Sequence, residues 1–169
     1  MHAKDILIEA HGRIREEVHA AVQGLDAERL AALPAPGANS VAWLVWHLTR
    51  VQDDHVADAA GREQVWTAQD WHGRFGLELP MSDTGFGHDA AKVAAVRVDS
   101  ADLLTGYYDA VHEQTLDFLR GLSAGELERI VDKRWDPPVT LGVRLVSVLS
   151  DDLQHVGQAA YVRGLLEKR

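Results

Sequence analysis

The segment TLGVRLVSVLSDDLQHVGQAAYVRGLL (residues 140–166) is the part of the chain on which the reading of the fold turns. Thr140 can cap the orphan amides of a helix beginning behind it, and the segment then runs as one long helix to about Leu166. Within it Asp151 and His155 stand four residues apart. One helical face therefore presents a carboxylate and an imidazole with β carbons about 5–6 Å apart, close enough to hold one ion between them. Asp152, one residue round the helix and three before His155, is the competing partner, and its face contains Leu145, Val148 and Leu149. Periodicity leaves that choice open.

Outward from this segment, the loop Asp132–Val139, with Trp135, Pro137 and Pro138, delivers the chain to Thr140. Before it, Ser123 and Glu126 have the spacing of a capping box and open a short helix. Leu103, Leu104, Tyr107, Val111, Thr115, Phe118 and Leu122 form one face of a long helix that begins near Asp99 and Ser100 and ends near Arg120–Leu122. From Trp66 to about Gly87 periodicity fails. Gly73, Gly76, Pro80, Gly85 and Gly87 punctuate a long connection carrying Trp66, Trp71, Phe75 and Phe86, which serves either a binding or lid role or an aromatic plug for the core.

A further long helix runs from Val41 to about Ala60, capped by Asn39 and Ser40 after Pro34-Ala35-Pro36-Gly37 and closed by Gly61. The first spans Ala3–Leu25, where Leu7, Ala10, Ile14, Val18, Val22 and Leu25 recur every three or four residues, and the short segment Asp26–Leu33 follows it. Gly24-Leu25-Asp26-Ala27 is echoed by Gly121-Leu122-Ser123-Ala124, so the chain reads as a pseudo-duplicated helix pair. The expected fold is all-α: a four-helix bundle with long crossover connections, forming a single domain over residues 1–169. The interior of such a bundle is a common place for metal and ligand sites.

Composition narrows the functions. At 169 residues and 46% hydrophobic, the chain can fill one core rather than two small ones. Lys and Arg number 17 against 26 Asp and Glu, a formal charge of −9 with no basic stripe, which argues against a nucleic-acid partner. Cysteine is absent, so metal ligands must be His and carboxylate, and any sulfur nucleophile must be borrowed from a bound thiol. Neither a signal peptide nor an apolar run of about 18 residues is visible, so a cytoplasmic address without a membrane partner is expected. Apolar bundle faces suit a homodimer.

His47 shares a face with Leu44, Leu48, Val51 and Val56 and should point into the bundle. A lone inward His is more often satisfied by a carboxylate or carbonyl than by a metal. Here an inward aspartate accompanies it. Carboxylates are seldom buried without a partner, and the positions three and four away from Asp151 are Ser147, Val148, Gln154 and His155, with no Lys or Arg among them. Of the other histidines, His55 lies two turns beyond His47 and can line a pocket mouth or play a plain surface or core role. His11 lies on the apolar side of the first helix, His72 and His88 are expected in solvent, and His112 is expected on a polar face. Gln158 and Arg163 can reach a substrate near His155 or serve packing alone, and Tyr161 is expected in the core.

Trp46-His47-Leu48 after Pro36-Gly37-x-Asn39-Ser40, together with Asp151-x-x-x-His155-x-Gly157-Gln158, resembles the DinB-like superfamily over nearly the whole chain. It is similar in particular to the metal-binding bundle domain of mycothiol-dependent maleylpyruvate isomerase and to related thiol S-transferases. The resemblance implies a divalent metal ion, zinc or nickel, held by His47, Asp151 and His155, and so favours Asp151 over Asp152. The aspartate departs from the commoner three-histidine pattern and resembles the carboxylate variant of the thiol-transferase branch. Three protein ligands leave a tetrahedral ion one open position, where a low-molecular-weight thiol of the mycothiol or bacillithiol type would lose its proton and attack a small electrophile. The same open position would serve a metal-dependent hydrolase. Two His and one carboxylate also match a ferrous facial triad by ligand count alone. A non-enzymatic, metal-stabilised ligand-binding bundle is the alternative from another class.

Overall fold

In chain order the elements are α1 (Ala3–Val22), α2 (Ala27–Ala31), α3 (Val41–Ala60), α4 (Val65–Ala68), α5 (Trp71–Phe75), α6 (Ala90–Ala95), α7 (Ala101–Gly121), β1 (Ile130–Asp132), β2 (Val139–Thr140) and α8 (Leu141–Leu166). A 3-10 turn at Ala124–Glu128 precedes β1. The computed structural model describes residues 2–167; Met1, Lys168 and Arg169, the ends of the expected 1–169 domain, lie outside the described residues.

The four long helices α1, α3, α7 and α8 form the bundle, with α3 packed chiefly on α8 and α7, and α1 on the same two. Helix α3 is its centre. Fifteen of its residues are buried, including Trp43, Trp46 and His47, so it has no broad solvent face; its first two turns are apolar nearly all round, and its middle buries Thr49, Arg50, Gln52 and Asp53. The caps fall where the sequence puts them: Ser40 accepts from the Trp43 amide, Thr140 accepts from the Val143 amide, and Gly61 closes α3 in the left-handed conformation at φ 63°. The two halves repeat in form, α1–α2–α3 against α7–3-10 turn–α8.

Four expectations are corrected. The connection from Trp66 to Gly87 is not without regular structure: α4 and α5 lie in or at its start, with α6 just after it. Each is under two turns, too short for a 3.6-residue period to register. Trp66, Trp71 and Phe75 are buried, whereas Phe86 is 92% exposed, so three of the four aromatics finish the core and the fourth does not. The loop before Thr140 is bounded by a two-stranded antiparallel ribbon pairing Ile130 with Thr140 and Asp132 with Val139. Finally, Tyr161 is 70% exposed and His112 is buried, each opposite to expectation. The buried stripe of α8 runs through Val156, Ala159 and Val162, which puts Tyr161 outside.

A polar network ties the connection to α3. The Asp53 carboxylate accepts from the Val65 and Trp66 amides and from the Tyr107 hydroxyl, at 2.8–2.9 Å. Arg50, fully buried and 3.8 Å from Asp53, donates to Gln64 Oε1 and to the Asp83 carbonyl. These bonds carry the connection back across α3, beside His47. No helix among the described residues is long and apolar enough to cross a membrane.

Candidate metal centre

His47 projects from α3, one turn beyond Trp43, whose indole lies flat on the imidazole with ring centroids 4.5 Å apart and planes 19° apart. His155 projects from α8 and meets His47 edge-to-face at 4.8 Å. Asp151, one turn earlier on α8, places Oδ1 3.5 Å from His155 Nε2. Ligand atoms of His47, Asp151 and His155 all lie within 4.8 Å of one another, and no other group of three or more His, Cys, Asp or Glu among the described residues converges in this way.

Both imidazoles are held by their Nδ1 atoms. His47 Nδ1 bonds to the Thr84 carbonyl, and His155 Nδ1 lies 2.9 Å from Gln158 Oε1. A carbonyl oxygen can only accept, so Nδ1 carries the proton in each ring and the Nε2 lone pair is left for a Lewis acid. Asp151 Oδ2 is buried and has no hydrogen-bond partner in the protein. Two free imidazole lone pairs and an unpaired carboxylate oxygen at one point are the donor set a borderline divalent cation takes. The residues therefore fit such an ion on their own chemistry.

The electrostatics of the two rings differ. Burial, the largest influence, lowers the His47 pKa below 6.5, opposed by the bond to Thr84. The Asp151 carboxylate beside His155 raises its pKa above 6.5. In the absence of an ion, His155 thus takes a proton more readily than His47 does.

The second aspartate does something else. Asp152 is fully buried, in the inward stripe Leu145–Val148–Asp152–Val156, and it faces His11 of α1 rather than the histidine pair. A rotation of about 100° per residue separates the two aspartates and turns Asp151 to the flank facing α3. Asp151 keeps 33% of its side chain exposed, so the wholly inward aspartate is Asp152 and not Asp151.

The end of the long connection, for which a binding or lid role was one of the two expected, completes the site. Asp83 accepts from the Gly85 amide, an Asx turn, and from His88 Nε2 at 2.9 Å. His88 Nδ1 in turn accepts from the Trp43 indole at 3.0 Å. The His88 side chain is 1% exposed, against the expectation of a solvent position. His72 is also half-buried, with its ring edge-on to Trp66. Gly85 has φ 92°, and a Cβ there would stand 2.6 Å from His47 Nδ1. The Asp-x-Gly spacing of Asp83 and Gly85 was the available signal for this turn.

Beside the triad lies a cavity of about 560 Å³. Its wall combines His47 and Asp151 with apolar Val51 and Phe86 and with polar His55 and Arg134. His55 is thus at the pocket, as one of its two expected roles required, with Nδ1 2.9 Å from Arg144. Arg144 and Arg134 both bond to Asp132, whose carboxyl they hold well below the usual range. Gln158 reaches His155, while Arg163 binds the Ala20 and Gln23 carbonyls at the end of α1, away from the site.

A sequence model of the family described as Mycothiol-S-transferase matches residues 7–168. Among solved structures, one described as the conserved protein of locus from Enterococcus faecalis is 31% identical, with a TM-score of 0.93, covering 100% of this chain and 99% of that one. No curated protein matches the chain.

Proposed function

Because this chain belongs to the mycothiol-S-transferase family, we propose that it is a divalent-metal-dependent enzyme that transfers a low-molecular-weight thiol to a small electrophile. The observation that carries the proposal is the convergence of one ring nitrogen each from His47 and His155 with an Asp151 oxygen, beside the 560 Å³ cavity. These three side chains would hold the ion, and two imidazoles with one carboxylate suit zinc or nickel. A bound divalent ion supplies Lewis acidity that lowers the pKa of a sulfhydryl brought to it.

The chain's own residues do the rest. Thr84 and Gln158 fix the imidazole tautomers, so no reorientation is needed when a ligand arrives. Val51 and Phe86 offer an apolar wall for the electrophile, and Arg134 and His55 offer polar contacts for the remainder of the thiol. With no cysteine in the sequence, the sulfur that reacts belongs to the cosubstrate. The thiol is of the mycothiol or bacillithiol type. The uncharged outer face of α8, with Val143, Val146 and Leu153 exposed, suits association of two copies.

Calorimetric titration of the zinc- or nickel-loaded protein with mycothiol and with bacillithiol tests the reading. Binding of one of them is expected, with loss of that binding in the His47→Ala variant. Binding of neither thiol would remove the transferase assignment.

A further inference from the structure

One residue beyond Asp151, on the inward face of α8, four polar side chains from three helices lie near one another in the core. His11 of α1, Tyr108 of α7 and Asp152 of α8 are fully buried, and His112 of α7 is 8% exposed. Six of their polar atoms lack a hydrogen-bond partner in the protein: both ring nitrogens of His11, the Tyr108 hydroxyl, His112 Nδ1 and both Asp152 oxygens. Native interiors pair about nine in ten of their buried polar groups, and here six unpaired atoms belong to four neighbouring side chains. The metal triad uses none of these groups.

The spacing says what can satisfy them. His11 Nδ1 and Asp152 Oδ2 are 4.0 Å apart, too far for a hydrogen bond. Two bonds of about 2.8 Å meeting at about 90° on a shared oxygen span that gap. The rings of Tyr108 and His112 are stacked at 24°, with centroids 6.0 Å apart, which leaves the phenol and imidazole polar edges without each other. A second cation is disfavoured, because His11, His112 and Asp152 do not bring ligand atoms together as the triad does. Water, with two protons to donate and two lone pairs, matches a mixed set of carboxylate, phenol and imidazole atoms. At about three bonds per buried water, six atoms call for about two molecules.

We propose that His11, Tyr108, His112 and Asp152 enclose an internal hydration site, and that Asp152 acts through it as a positioning residue. The bound water joins α8 to α1 and α7 and fixes the rotation of α8 about its own axis. That rotation sets which flank Asp151 and His155 present to His47, so a change at Asp152 would be felt at the triad without touching it. This second part rests on the reading of the triad as a metal centre.

A crystal structure at about 1.5 Å resolution or better, of the full chain with and without zinc, tests the hydration site. Water density within hydrogen-bond distance of these atoms is expected in both crystals. A direct His11–Asp152 bond with nothing between them, or an anomalous scatterer in that place, would overturn it. Tyr108→Phe is expected to remain folded and to lose or displace one water; unchanged density would count against the site. For positioning, Co(II) titration compares Asp152→Asn and Asp152→Leu. Asn should keep the wild-type visible spectrum, and Leu should shift it and weaken binding about tenfold. A wild-type spectrum and affinity in folded Asp152→Leu would end the positioning role. Should Leu prevent folding, an altered spectrum in Asp152→Asn with its waters retained would end it instead. If the wild type takes up no Co(II), the metal reading falls and positioning with it, while the density still decides the hydration site.

Discussion

The imidazoles of His47 and His155 stand edge-to-face, 4.8 Å between centroids, although one belongs to the second long helix and the other to the last. The Asp151 oxygen completes the group. If these atoms share one ion, metal content measured by elemental analysis should fall from about one equivalent to background in His47→Ala, Asp151→Ala and His155→Ala. Gln158→Leu, which frees the His155 ring, should retain metal but bind it about 10-fold more weakly.

Gly85→Ala is expected to disturb the centre from outside it. The new Cβ would meet His47 Nδ1 at 2.6 Å, and the φ of 92° is one that alanine tolerates poorly. Displacing the Thr84 carbonyl from His47 should weaken zinc binding about 10-fold or more. The backbone strain should cost about 1–3 kcal/mol. Competitive zinc titration and urea denaturation measure the two effects separately.

Metal affinity should depend on pH in a defined order. A ligating imidazole must be unprotonated, and Asp151 stabilises the protonated form of His155, raising its pKa above 6.5. Burial lowers that of His47 below 6.5. As pH falls, a proton displaces the ion at His155 first, so log affinity should drop with a slope near one starting above pH 6.5. The slope should steepen only below 6.5, where His47 also protonates. Calorimetry at a series of pH values gives the slope directly. In Asp151→Asn the first step should move to lower pH.

Asp53 separates fold stability from the centre. Its carboxylate satisfies two amides and the Tyr107 hydroxyl and stands beside fully buried Arg50. Asp53→Ala leaves that guanidinium without its counter-charge and should cost about 3–5 kcal/mol in chemical denaturation. Whatever fraction stays folded should still bind zinc, since Asp53 contributes no ligand atom to the triad.

The long helices were legible because apolar spacing and end signals agree: Ser40, Thr140 and Gly61 each occupy the terminus their side chains suit. The pairing of His47 with the Asp151–His155 face was visible as spacing plus resemblance. What escaped is set by rotation and by brevity. Periodicity cannot separate Asp151 from Asp152 when both border the apolar stripe, nor could it place Tyr161 and His112, where one residue of helical phase exchanges core for solvent. Helices α4 and α5 are scarcely longer than one helical turn, so no repeat of the period can reveal them. The Asp83–His88–Trp43 chain joins a loop to a helix residue far earlier in sequence, and only the folded loop brings them into register.

Trp43 lies flat against one ring of the pair and edge-on to the other, at 4.5 and 6.2 Å. A change of charge at either imidazole therefore falls directly beside the indole, which makes it a built-in optical gauge. Occupancy of the site could be followed, without a label and in real time, as a change in emission over that of the other four tryptophans, with Trp43→Phe as the blank.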